Sequence, residues 1–329
     1  MRTMKALSFA QYGPPSVLAF ADLAIPEASP GKEVRVQVQA SAVNPSDVKN
    51  VAGVFHASLP RVPGRDYVGT VVSGGDSWEG KEVWGTGPGF GVVRDGAHAE
   101  FVLVPIEGLS EKPARLSAVE AATVGVPYVA AWRTLVDAAS IQSGETILIT
   151  GVSGAVGRAA TQIAHWKGAK VIGADIREGA SGADRMIITA YTDLAAEVKS
   201  LTKGVGVDLA LDAVGGPMFE PALNSLRSGG RQVVITSVGA RRVEFDLIDF
   251  YHGEKRLIGV DTMKMTGAEI ARIMDALREG FEQGHLKPSP TTTWPFSRAV
   301  EAYTVVASGH SSTTNVLLPA LELTTNGSK

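Results

Sequence analysis

The sequence of 329 residues predicts an α/β protein made of a compact β-barrel-like domain and a doubly wound parallel sheet. Three observations carry this prediction. Residues 1–116 hold short apolar runs separated by Gly and Pro clusters. From Glu145 onward apolar strands alternate with helical segments, the rhythm of a parallel sheet covered on both faces. Within that second part, a buried strand runs through a glycine-rich turn directly into a helix at Thr146–Trp166.

The elements follow in order. Val34, Val36, Val38 and Ala40 alternate with Arg35, Gln37 and Gln39, which is the period of a half-buried strand. Further strands are expected at Tyr67–Val72, Glu82–Trp84 and Glu100–Val104. Pro63-Gly64, Gly74-Gly75 and Gly85-Thr86-Gly87-Pro88-Gly89 punctuate them. Ser117–Ser140 is Ala-rich and helical in pattern, with Pro127 breaking it or beginning a turn inside it. Then come strands at Thr146–Thr150, Lys170–Ala174, Arg185–Ile188, Val207–Leu211, Arg231–Thr236 and Leu257–Val260. Helices are expected at Ala155–Trp166, Asp193–Leu201 and Met218–Leu226. Two more helices, Ala268–Gly280 and Arg298–Ala307, precede a strand at Asn315–Leu318. The polar tail Leu321–Lys329 is expected to fray.

Composition narrows the function. Apolar residues make up 44% and charged residues 20%, enough for a sizeable core and too apolar for disorder. Lys plus Arg number 31 and Asp plus Glu 34, a net charge of −3, so there is no basic field for nucleic acid. Cysteine is absent, which excludes disulfides, thiolate catalysis, iron–sulfur clusters and Cys-ligated zinc. No apolar run approaches the roughly 18 residues of a membrane span. The opening MRTMKALSFAQYG has no extended apolar stretch of the secretory kind. A cytoplasmic protein acting on a small molecule, away from membranes, is the simplest expectation.

The glycine turn reads Thr146-Ile-Leu-Ile-Thr-Gly151-Val-Ser153-Gly154-Ala155-Val156-Gly157-Arg. Glycines at such a bend let a pyrophosphate approach main-chain N–H groups, and the helix N-terminus adds donors and positive potential. The spacing is G-x-x-G-x-x-G. Context raises it to a dinucleotide site, because the next strand ends in Asp175, about eighteen residues past Gly157, where an acid suits ribose hydroxyls. The bland alternative is a glycine-rich turn of an unliganded α/β protein. Asp175 would accept from the 2′- and 3′-hydroxyls of NADH and repel a 2′-phosphate. Arg177, with Arg185 beyond it, could pair with that phosphate in NADPH or simply be a solvated charge. The cofactor is therefore NAD(P)H, with NADH favoured.

Several segments together resemble the medium-chain dehydrogenase/reductase superfamily, in its zinc-free quinone oxidoreductase (zeta-crystallin)-like branch. They are Ala42-Val-Asn44-Pro-Ser-Asp47, Val62-Pro-Gly64-Arg-Asp66-Tyr-Val-Gly69, Gly96-Ala-His-Ala-Glu100, the glycine turn with Gln162, Asp212-Ala-Val214-Gly215-Gly and Gly229-Gly-Arg231. Val152, Ala155 and His165 depart from that branch's pattern. The resemblance covers nearly the whole chain and implies a GroES-like β-barrel domain at 1–120, a Rossmann dinucleotide-binding domain at 121–262, and a segment 263–329 that completes the first. It also implies a cleft active site and a homodimer, for which Leu257–Asp261 offers a sheet edge. Val214 and the stretch Thr236-Ser237-Val238-Gly239 would run past the nicotinamide.

Without zinc to stabilise an alkoxide, the easier chemistry is hydride delivery to a quinone or a carbonyl-conjugated alkene. Asn44 is the candidate catalytic residue, since the matching Asn of the family lies near nicotinamide and substrate; as an Asx-turn residue before Pro45 it has a purely structural reading too. Phe55 stands where several relatives carry a Tyr, and Ala130 where relatives often carry a Thr, so the proton donor is unassigned. Tyr67, Tyr128 and His56 read as packing or rim residues, and a metal site from His56, His98, Asp47 or Glu100 is disfavoured. The short link Ile176–Asp184 lacks room for the usual helix, so the adenosine end is expected to be open. Two competing functions remain: a zinc-independent alcohol dehydrogenase, and a non-catalytic dinucleotide-binding or redox-sensing protein.

Overall fold

The computed structural model describes residues 2–75 and 77–319; the tail Leu321–Lys329 lies outside the described residues. The chain divides into two compact units. One is built from the described parts of Met1–Val129, Met263–Gly284 and Pro288–Lys329, the other from Ala130–Thr262 with His285–Lys287.

The first unit opens with an antiparallel pair, β1 (Thr3–Ser8) and β2 (Ala19–Ala24). The long strand β3 (Glu33–Val43) follows, then helix α1 (Pro45–Val51) and strands β4 (Asp66–Ser73), β5 (Glu82–Thr86) and β6 (Phe101–Pro105). Val34, Val36 and Val38 point inward, as their alternation predicts, and pack on Tyr67, Val71, Val83, Phe90 and Val102. The alternation ends after Ala40, because Ser41–Val43 are covered on both faces. The helical pattern of Ser117–Ser140 is realised as α2 (Ala118–Ala121) and α3 (Gly125–Trp132), followed by a wider π turn over Arg133–Ala138. Pro127 begins rather than breaks: it sits in the first turn of α3, where an amide proton has no intrahelical acceptor.

In the second unit, β7 (Thr146–Thr150), α4 (Ala155–Trp166), β8 (Lys170–Asp175), β9 (Arg185–Ile188), α5 (Leu194–Leu201), β10 (Val207–Asp212), α6 (Phe219–Asn224), β11 (Leu226–Val234), α7 (Leu247–His252) and β12 (Arg256–Gly259) alternate. The six strands are all parallel, in the order β12-β11-β10-β7-β8-β9. Strand β11 starts five residues before the expected Arg231: it pairs with β10 at Leu226 and again from Arg231, and Gly229-Gly230 lie in the irregularity between, where glycine is at home. Strand order reverses between β7 and β10, and a doubly wound sheet binds ligands beyond the carboxyl ends of the strands at that switch point.

The chain then returns to the first unit through α8 (Gly267–Glu282), β13 (Thr291–Pro295), α9 (Ala299–Ala307) and β14 (Thr314–Leu318). Strand β14 pairs antiparallel with β3, which gives a sheet of order β13-β14-β3-β4-β5 with β6 also on β3.

Candidate functional site

In the second unit, β7 delivers the chain to Gly151, whose φ of 62° is left-handed and favours glycine. Gly154 is the N-cap of α4 and is exposed; it brings no side chain to satisfy the first-turn amides. Ala155 and Val156 are half-buried behind it. Gly157 is required by packing, since a Cβ there would lie 2.5 Å from the Gly151 carbonyl oxygen and 2.6 Å from Val152 Cα. The Ser153 hydroxyl is buried without a hydrogen-bond partner. Open amides, a close helix approach and an unsatisfied hydroxyl fit a diphosphate cradle.

Asp175, at the end of β8, braces this turn. Its Oδ2 accepts from Ser153 N at 3.1 Å and its Oδ1 from Ile176 N at 2.8 Å. Arg177 is solvent-exposed two residues on, and Arg185 donates to the Asp184 carbonyl. The link Ile176–Asp184 carries no helix. Within it Gly179 folds back toward the turn, so closely that a Cβ on it would sit 2.6 Å from Ser153 Oγ.

Beyond β10, Asp212 organises the neighbouring turn. Its Oδ1 accepts from Thr150 Oγ1 at 2.7 Å, Val214 N at 3.1 Å and Gly215 N at 2.8 Å. Val238 N donates to the Val214 carbonyl at 2.8 Å, and Ser237 Oγ donates to Ala240 O. A Cβ on Gly151 would lie 3.1 Å from Val214 Cγ2. Gly151, Val214 and Val238 are thus brought together across the ends of β7, β10 and β11. The Thr150–Asp212 bridge was not anticipated, although an Asp followed by Gly-Gly is an Asx-turn signal.

The first unit holds a separate buried polar cluster. Asn44 caps α1 and is 4% exposed. Its Nδ2 donates to Asp66 Oδ2 at 2.7 Å, and its backbone N donates to Asp47 Oδ2 at 2.8 Å. Asp66 Oδ1 accepts from Val126 N at 2.9 Å. Burial pushes the Asp47 carboxyl up to about 7, and the nearby Asp66 adds to the shift. Burial likewise raises Asp66 to about 6, against the pull of Asn44 and the Arg65 guanidinium. Sequence reasoning quoted Arg65 and Asp66 only as part of a motif; a charged pair opening an otherwise apolar strand after Pro-Gly was the available signal.

His98 is fully buried and both ring nitrogens are engaged. Nε2 lies 3.1 Å from the Ala42 carbonyl and Nδ1 2.8 Å from Tyr303 Oη. A carbonyl only accepts, so Nε2 carries the proton and Tyr303 donates to Nδ1. Burial lowers this imidazole to about 4. Glu100 accepts from Lys5 N, and Tyr67 and Tyr128 are packed inside, against Phe90 and Phe281. Phe55 packs on the cluster around Leu7 and Tyr303. Among the described residues no group of three or more His, Cys, Asp or Glu is placed to hold a metal ion.

Residues 30–114 match the alcohol dehydrogenase GroES-like domain, and residues 155–279 match the zinc-binding dehydrogenase domain. A zinc-type alcohol dehydrogenase-like protein of Schizosaccharomyces pombe is 33% identical over 291 residues, 86% of this chain and 87% of the relative. The chain belongs to the medium-chain dehydrogenase/reductase superfamily. Within it the chain is quinone oxidoreductase-like: the quinone oxidoreductase of Homo sapiens is 28% identical over 330 residues, covering 96% of this chain and 98% of that one. A solved structure described as an NAD-dependent alcohol dehydrogenase superposes with a TM-score of 0.85 at 29% identity, over 96% of this chain and 99% of that one. This medium-chain oxidoreductase accordingly combines a GroES-like unit with a Rossmann-type sheet. The residues present do not fit the zinc of the family's name. The chain has no thiolate to offer, and the ring nitrogens of His98 are already committed.

Proposed function

We propose that this chain transfers a hydride from NAD(P)H to a quinone or a carbonyl-conjugated alkene without zinc. The observation that carries the reading is the uncapped amide turn at Gly151–Gly157, combined with a donor set unsuited to zinc. When bound, the reduced nicotinamide supplies the hydride. The first-turn amides of Ala155, Val156 and Gly157 hold the diphosphate, and Gly151, Ser153 and Gly154 shape the turn against which it lies, the Ser153 and Gly154 amides being already given to Asp175 and the Gly151 carbonyl. Asp175 has a second lone pair on each oxygen for ribose hydroxyls, which favours NADH, while Arg177 offers a partner to the 2′-phosphate of NADPH. Val214, Ser237 and Val238 border the nicotinamide end. Asn44 has a second amide hydrogen beyond the one given to Asp66, and donates it to the acceptor carbonyl. Water protonates the product.

Steady-state rates on 1,2-naphthoquinone, an enone and a simple alcohol, each with both cofactors, test the reading. Activity confined to the alcohol would favour the second reading, a zinc-independent alcohol dehydrogenase, which the names of the Schizosaccharomyces pombe relative and of the solved structure support. Dinucleotide binding with no turnover on any acceptor would mark a redox sensor.

The proposed assembly is a homodimer through the edge strand β12. Supporting it are the edge position of β12 and the exposed Leu247, Ile248, Tyr251 and Leu257 on and beside it. No helix among the described residues is long and apolar enough to cross a membrane.

A further inference from the structure

Arg65 is 7% exposed, yet its guanidinium makes no hydrogen bond, ion pair or ring contact to any described residue. A buried cation without a partner is costly, and arginine cannot relieve the cost by losing its proton. The two carboxylates beside it feel its charge, since both Asp47 and Asp66 are held down by it. Neither takes it as a partner. Asp47 accepts from Asn44 N, and Asp66 accepts from Asn44 Nδ2 and Val126 N, so their oxygens are directed elsewhere. None of the guanidinium nitrogens is among the polar atoms sealed from solvent without a partner, so the fork keeps accessible surface. The result is a largely desolvated cation whose field reaches the two carboxylates that hold Asn44, with its donors unspent.

We propose that Arg65 is the oxyanion-binding residue of this enzyme, accepting into its fork the oxygen on which negative charge develops as the acceptor is reduced. This rests on the hydride-transfer reading given above. In that step two electrons and one hydrogen arrive at the electron-poor atom of the acceptor. A new bond to hydrogen forms, the conjugated π bond shifts, and the electron pair comes to rest on the carbonyl oxygen as an enolate or hydroquinone monoanion, NAD(P)H being oxidised to NAD(P)⁺. Arg65 stays protonated throughout and stabilises the anion by charge and by two parallel N–H donors. Solvent water then gives its proton to the product and leaves hydroxide to the buffer.

The test separates anion binding from turnover. 4-Nitrophenolate, a chromogenic stand-in for the reduced acceptor, is titrated into the full chain with and without oxidised cofactor, at a pH where the phenol is ionised. The wild type binds it; Arg65→Gln weakens binding roughly ten- to hundredfold, and Arg65→Lys retains most of it. With 1,2-naphthoquinone, Arg65→Gln lowers kcat by roughly a hundredfold or more while cofactor affinity is unchanged, and added guanidinium ion partly restores kcat to Arg65→Ala. A merely structural arginine would not give that rescue. Phenolate binding by a folded Arg65→Gln equal to that of the wild type overturns the proposal, as does failure of the wild type to bind phenolate. If phenolate binding depends on Arg65 but no acceptor is turned over, the anion site stands and the hydride-transfer reading falls.

Discussion

Asp47 and His98 lie in the same buried region and have opposite effects on stability. A carboxyl raised to about 7 holds its proton more tightly in the folded state than in the unfolded one, where its value is 3.8. Its contribution is therefore fully present below about 4 and is lost as pH rises toward 7. Asp66 acts in the same sense up to about 6. His98, lowered from 6.5 to about 4, contributes above 6.5 and loses that contribution as pH falls toward 4. Asp47→Asn keeps an acceptor for the Asn44 amide and removes one titration, while His98 is common to both proteins. The melting temperature of the variant relative to wild type should climb from about pH 4 to about pH 7 and level off above. A difference independent of pH across that window would show that Asp47 is ionised throughout. At Gly154 the backbone is ordinary, with φ −72°, and a Cβ would meet only the Gly151 carbonyl oxygen at 3.2 Å. Gly154→Asp should therefore fold, yet set a like charge against the cofactor diphosphate. Nicotinamide fluorescence titration is expected to show affinity reduced roughly a hundredfold or more.

At the scale of elements, Arg231 ties together the start of the parallel sheet. It donates to Ala139 O at 2.6 Å and to both oxygens of Glu145, at 2.9 and 2.8 Å, from a nearly closed site. Arg231→Met should destabilise the second unit by about 3 kcal/mol, because Glu145 is left buried without its partner. A lowered urea midpoint followed by far-UV circular dichroism would register it. Gln162 works similarly, accepting from Lys287 N at 2.7 Å and donating to Lys287 O, so the glutamine of the motif anchors the passing segment His285–Lys287 to α4. Elements bearing strong burial patterns and clear stops were legible: β7, α4 and β9 have the bounds their sequences suggest, with Gly151 and Gly168 as punctuation. Strands β2 and β13 were not legible. Both are largely exposed, and periodicity reports burial, so strands that bury little print little pattern. The same reasoning divides the site. The glycine turn is local chain chemistry and can be read directly. The Asn44–Asp66 bridge joins residues 22 apart, and the unmet guanidinium of Arg65 is a property of its surroundings, which no local pattern encodes.

For the molecule as a whole, the β12 edge bears on assembly. Ile248 on α7, the helix that precedes it in the chain, is 61% exposed, an unusual display for an apolar residue near an edge strand. If two chains join there, Ile248→Asp should convert a species of two chain masses into one of a single mass in light scattering, while the circular dichroism spectrum is retained. The alternating strand and helix pattern made the Rossmann-type unit legible at this scale. That the other unit recruits its last strands from the far side of an insertion came only through family resemblance, since no short-range signal links Val43 to Asn315.

That recruitment shapes how the chain is made. As it leaves the ribosome, the Rossmann-type sheet has every one of its strands in hand by Gly259, whereas β3 must wait for β14. Domains tend to fold as units during synthesis, and long-range strand pairing is slow. The nascent polypeptide therefore passes through an interval in which its earliest-made sheet displays an open flank, and it is in that interval, before maturity, that chaperones and aggregation compete for it.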